Sequence, residues 1–99
     1  MKINVYSIYD DKSERFFIPF FQLTDNEAIR TVGFLCADNT TDYYKVCSDI
    51  SLYRIGVFDD SNGNMVPCKP VPIIRGVEAR SACIKVMQAM TMEFPDEQG

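Results

Sequence analysis

The sequence has no histidine and no tryptophan, and none of its four cysteines falls in a CxxC pair. Each absence removes a class of chemistry. Histidine is the commonest general base near neutral pH and the commonest metal ligand, so both roles lose their usual carrier. A zinc site would have to gather Cys36, Cys47, Cys68 and Cys83 from scattered positions, unlike the close-paired spacing of zinc modules. A disulfide framework belongs to secreted chains, and MKINVYSIYDD has neither the apolar h-region nor the small-residue cleavage site of a secretory signal. The thiols are expected to be reduced and mostly buried, acting as small hydrophobes. The glycines are isolated, at 33, 56, 63, 76 and 99, so no glycine-rich loop can cradle a phosphate. No apolar run approaches the roughly 20 residues needed to span a bilayer. These absences predict a non-enzyme with no catalytic residue, metal, cofactor, small-molecule substrate or membrane contact.

The 99 residues suit a single small domain, and 46% apolar content is ample for one core. The formal charge of −4 argues against duplex binding, which is dominated by phosphate neutralisation. Acidic residues gather in two expected turns, Asp10, Asp11 and Glu14 in one and Asp59 with Asp60 in the other, and again at Glu93, Asp96 and Glu97. Adjacent aspartates in a turn point apart and solvate it, so neither pair is read as a magnesium or catalytic site. The basic residues are spread singly along the chain.

Lys2 to Tyr9, KINVYSIY, is β-branched and aromatic and predicts a strand. DDKSER reads as a turn, and FFIPFFQL, Phe16 to Leu23, as a returning strand at an edge or bulged at Pro19, which cannot donate a ladder bond. Thr24 followed by Glu27 is a capping-box signature. Ala28, Ile29, Val32, Leu35 and Cys36 then keep helical spacing, predicting a helix from Asp25 to about Ala37 despite Gly33. A polar loop with one short helical turn around Asp42 to Val46 should follow. Ser51 to Phe58 predicts a third strand, DDSNGN a tight Asn-Gly hairpin turn, MVPCK a short fourth strand and PVPII an extended segment. Ala79, Ala82, Cys83, Val86, Met87 and Met90 form one helical stripe, packed on the sheet or offered to a partner, and PDEQG a frayed tail. VYSIYDDKSERFFIPF and LYRIGVFDDSNGNMVPC also form a faint internal repeat. The expected fold is α+β, two β-hairpins in a four-stranded antiparallel sheet joined by a crossover helix, ββαββ, plus a C-terminal helix. Residues 1–75 form that domain, and 76–99 the helix and tail packed on it.

The twelve aromatic residues carry the functional signal. Side chains alternate between the faces of a strand, so FFIPFF is aromatic on both, and only one face can pack on helices. Rings left outside are buried in a homodimer or stack on single-stranded nucleic acid, at roughly 1–3 kcal/mol per base. VYSIYDDK, PFF, AIR and LYRIGVFDDSNG, in that order over Lys2 to Met65, resemble the small nonstructural protein of gokushovirus-like microviruses, which are single-stranded DNA phages. The match fades beyond Pro67, and the C-terminal segment is longer than the family pattern. The resemblance implies a non-enzymatic DNA-binding protein of the host bacterial cytoplasm. On the matched positions it points to Tyr6, Phe20, Phe21, Arg30 and Tyr53 as nucleic-acid contacts, and Arg54 is expected beside them. The alternative is a homodimeric assembly or host-directed factor that binds no nucleic acid.

Overall fold

The computed structural model describes residues 1–93, with side chains through residue 90. Phe94 and the tail expected from Pro95 onward lie outside the described residues. Strand β1, Lys2–Asp10, turns back into two short strands, β2, Arg15–Phe16, and β3, Phe20–Gln22. Helix α1, Asp25–Ala37, crosses to the short helix α2, Asp42–Lys45, and a 3-10 turn at Cys47–Asp49. Strands β4, Ile50–Asp59, and β5, Asn64–Arg75, form the second hairpin, and helix α3, Gly76–Glu93, closes the chain. The sheet is antiparallel, with β2 and β3 both on β1, then β4, then β5 at the far edge.

The α+β class and the two hairpins match expectation, but the sheet has five strands. The phenylalanine-rich return is not one strand. Residues 17–19 leave the ladder, Pro19 donates nothing to it, and Phe17 N–H alone reaches back to the Ile8 carbonyl at 2.8 Å. MVPCK and PVPII merge into one 12-residue strand. It holds Pro67, Pro70 and Pro72 because it is the sheet edge, where a missing N–H faces solvent. Its register on β4 shifts twice, between Leu52 and Tyr53 and between Arg54 and Gly56. Prolines along such an edge also block pairing with another chain's strand.

Helix α1 starts as Thr24 predicts: its hydroxyl accepts from Glu27 N–H at 3.1 Å. The helix buries Ala28, Val32, Gly33 and Cys36. They meet Tyr6 and Ile8 of β1, Ile50 and Leu52 of β4, and Ala79 of α3 in the core. The α3 stripe buries Ala79 and Cys83, while Val86 and Met90 stand exposed.

The turns absorb the paired aspartates. Asp10 Oδ1 accepts from Lys12 N–H at 2.9 Å, and Asp59 Oδ1 accepts from Ser61 N–H at 3.0 Å. At the second turn Gly63 takes a positive φ of 77° and Asn62 does not. The hairpin turn expected at DDSNGN is there, as a four-residue loop between the paired Asp59 and Asn64, with Gly63 its one left-handed position. The first turn puts Glu14 at a φ of 54°, a conformation that costs a side-chain-bearing residue roughly 1–2 kcal/mol. Glu14→Gly is expected to stabilise the chain by about 0.5–1 kcal/mol, offset in part by the entropy glycine adds to the unfolded state; an unchanged or lower urea midpoint would overturn this.

Candidate nucleic-acid interface

All helices lie on one side of the sheet, and the molecule is only 19 Å across its thinnest dimension. That is two layers, so among the described residues no helix covers the second face of the sheet. On β1, Tyr6 and Ile8 point to the helices, so Ile3, Val5, Ser7 and Tyr9 point away. Register carries this assignment across the sheet. Phe16 pairs with Tyr9 and Phe21 with Val5; Tyr53 pairs with Ser7 and Phe58 with Ile3. Five rings thus share the open face, in two groups. Tyr9, Phe16 and Tyr53 pack mutually, with centroids 4.8 Å, 5.5 Å and 6.1 Å apart. Phe21 and Phe58 meet edge to face at 5.6 Å. Phe16 is 40% and Phe21 46% exposed. Ser7, beneath the rings, donates to the Phe17 carbonyl at 2.7 Å and pins the break in the strand.

The six residues expected at a nucleic-acid site are divided by the sheet. Phe21 and Tyr53 are on the open face. Tyr6 is fully buried on the helix side and stacked on the half-buried Phe20 at 5.8 Å, so neither ring reaches the open face. Arg54 is also on the helix side. Its guanidinium grips the Asp25 carboxylate at 2.9 and 3.0 Å. Arg30 is exposed on α1, again on the helix side. The repeat-related Tyr6 and Tyr53 therefore face opposite ways, whereas a duplication about the β1–β4 pair would keep them on one face. Sequence reasoning missed Tyr9, Phe16 and Phe58. Alternation along VYSIY was the available signal for Tyr9, whose partners at Val5 and Ser7 share its parity. Two exposed cations lie near the Tyr9 group: Arg75, paired with Ser51, itself opposite Tyr9, donates to the Ser48 carbonyl at 2.9 Å, while Arg15, next to Phe16, pairs with Asp10 on the helix side at the sheet margin.

The polar cluster on the helix side is structural. Tyr6 hydroxyl donates to Asp25 Oδ1 at 2.6 Å and accepts from Asn4 at 3.2 Å. Burial, and then this bond, push the Tyr6 phenol up to about 12. The Tyr6 bond and the Arg54 guanidinium hold the Asp25 carboxyl below its usual range, against opposing burial.

The thiols divide by exposure: Cys36, Cys47 and Cys83 are buried and Cys68 is exposed on β5. Burial, with the neighbouring Cys47 thiol, pushes Cys36 up to about 12, so little reactive thiolate forms there. With a disulfide reagent near pH 8, Cys68 is expected to react fast and the other three only after unfolding. Fast reaction of a second thiol would contradict the core described above.

The model of the family described as Phage ORF5 protein matches residues 3–79. The chain belongs to that family. This places it among small phage proteins. The match spans both hairpins, α1 and the start of α3, so this family member's open ring face lies within the family region. No curated protein and no solved structure matches the chain. Among the described residues, no helix is long and apolar enough to cross a membrane.

Proposed function

We propose that this phage protein binds single-stranded DNA on the open face of its sheet, without catalysis. The reading further places it in the host bacterial cytoplasm during genome replication or packaging of a microvirus. The observation that carries it is the set of five rings, partly exposed, on the face that no helix covers among the described residues. Every base has a π-face, so such a platform tolerates any sequence. Arg75 shares the face of the larger ring group, Arg15 lies at its margin beside Phe16, and together they supply the phosphate contacts; Tyr6, Phe20 and Arg54 support the sheet from behind, and Arg30 lies away from the rings.

Fluorescence anisotropy with a labelled oligothymidylate across a salt titration tests this. Two or so phosphate contacts give a slope of log K against log salt near −1.4, at roughly −0.7 per phosphate. Phe16→Ala and Phe21→Ala are each expected to weaken binding about tenfold, within the roughly 1–3 kcal/mol per stacked base. Absence of saturable binding at low salt would sink the proposal. A second reading is a homodimer through the same face, favoured because the cleft beside Phe21 is lined by Val5, Pro19, Met65 and Pro67, none of them charged. It predicts that Phe16→Ala with Phe21→Ala shifts sedimentation from dimer to monomer and leaves DNA affinity unmoved.

A further inference from the structure

The smaller ring group borders a cleft of about 370 Å³ on the open face. Val5, Pro19, Phe21, Met65 and Pro67 wall it, and Gly56 lies at its floor. We propose that this cleft holds a single unstacked nucleobase of the bound strand, a proposal that rests on the single-stranded reading above.

Its size lies at the small end of the roughly 300–1,000 Å³ of small-molecule sites, suited to one flat ring system. Its walls are flat too. Phe21 presents a ring, held in place by the edge-to-face contact with Phe58 at 70°, and the two prolines present rigid rings. Extruded bases are held by such stacking between aromatic and apolar groups. Gly56 leaves the floor as bare backbone. A Cβ there would meet the Val66 carbonyl oxygen at 2.8 Å, so no larger residue can fill the space without moving β5. The cleft also lies on the path of a bound strand. Val5 and Tyr9 point to the same face four residues apart on β1, about 13 Å at the usual strand rise. A strand stacked on Tyr9, Phe16 and Tyr53 reaches the cleft within about four nucleotides at duplex spacing.

None of the wall residues carries a polar side chain, so no hydrogen-bonding edge of the base is read. The base is accepted by shape and stacking alone. Oligothymidylate and oligocytidylate should therefore bind with affinities within about threefold of each other.

The decisive experiment is photocrosslinking of the full chain to an oligothymidylate carrying one 5-iododeoxyuridine, with the adduct located by peptide mass spectrometry. Adducts on Phe21 or Met65 are expected. Adducts confined to Tyr9, Phe16 and Tyr53 would overturn the cleft and leave the stacking reading standing. Absence of saturable binding removes both. A tenfold preference between the two oligomers would overturn the apolar readout. If Phe21→Ala converts a dimer to a monomer without changing DNA affinity, an apolar side chain of a second copy occupies the cleft and the proposal falls.

Discussion

Gly33→Val is expected to lower stability by about 3 kcal/mol, at the upper end of the range for overpacking a tight contact. Helix propensity points the other way, because glycine inside a helix is roughly 1 kcal/mol worse than alanine. The reason is the approach of α1 to α3. A Cβ at position 33 would sit 2.7 Å from the Ala79 carbonyl oxygen and 3.0 Å from Cys83 Cβ. The first obstacle is helix backbone and cannot rotate aside, so α3 must move as a body. Gly33→Ala should fall between, with about 1–2 kcal/mol lost after the propensity gain is counted. Phe34→Ala is the control: it is the next residue on the same helix but 52% exposed, and should cost under about 1 kcal/mol. Urea denaturation of the three variants decides the matter. A more stable Gly33→Ala protein would mean that the helix pair is soft and the glycine is not required by packing.

Gly33 also marks where the sequence stops being readable. The Thr24 cap, the α1 periodicity and the existence of two hairpins are local features, and local signals found them, though not the break at residues 17–19 or the full length of β5. The reason for Gly33 is a contact with a residue 46 positions away in the chain, at Ala79. No window of sequence contains it. The same holds for the ring faces. Phe16 and Phe21 are five residues apart, and an unbroken strand would put them on opposite faces. They share one because residues 17–19 leave the ladder. Tyr53 and Phe58 are also five apart and share a face, because the register slips at Ile55 between Tyr6–Arg54 and Val5–Gly56. Neither offset follows from residue type alone, although Pro19 announces that some break is needed. Phe16 and Phe21 therefore face out, and Phe17 and Phe20 face the helices.

These offsets decide which side chains share the open face. They gather on one surface rings that regular alternation would have divided between the two faces. They also separate the rings from Arg54, which sequence proximity to Tyr53 had suggested as a partner. The proposed reading therefore draws its phosphate contacts from Arg75 on β5 and from Arg15 at the β2 margin.

Tyr6→Phe is expected to cost about 2 kcal/mol near neutral pH, in the range of a hydrogen bond to a charged group, and to remove a specific alkaline weakness. Tyr6 OH joins β1 to the first turn of α1 through Asp25, which Arg54 of β4 also holds. One carboxylate thus ties two central strands to the crossover helix, and each partner restrains the others. The pH sign follows from the protonated form. The phenol is pushed up to about 12 in the folded chain, from about 10 unfolded. Its contribution is complete below pH 10 and declines as pH rises from 10 through 12, by at most about 2–3 kcal/mol at 1.36 kcal/mol per unit. Cys36 titrates late as well, but identically in both proteins, so it cancels in their difference. The urea-measured gap between wild type and Tyr6→Phe should therefore be constant from pH 7 to about 9 and close toward pH 12. Asp25→Asn tests the other limb. The Asp25 carboxyl is held low, so its contribution is present above its unfolded value and fades as pH falls below about 4. Wild type should exceed Asp25→Asn at pH 7 and converge with it in acid. Parallel profiles for wild type and both variants would show that Tyr6 and Asp25 are not coupled in solution, and the tie between the open sheet and α1 would have to come from apolar packing alone.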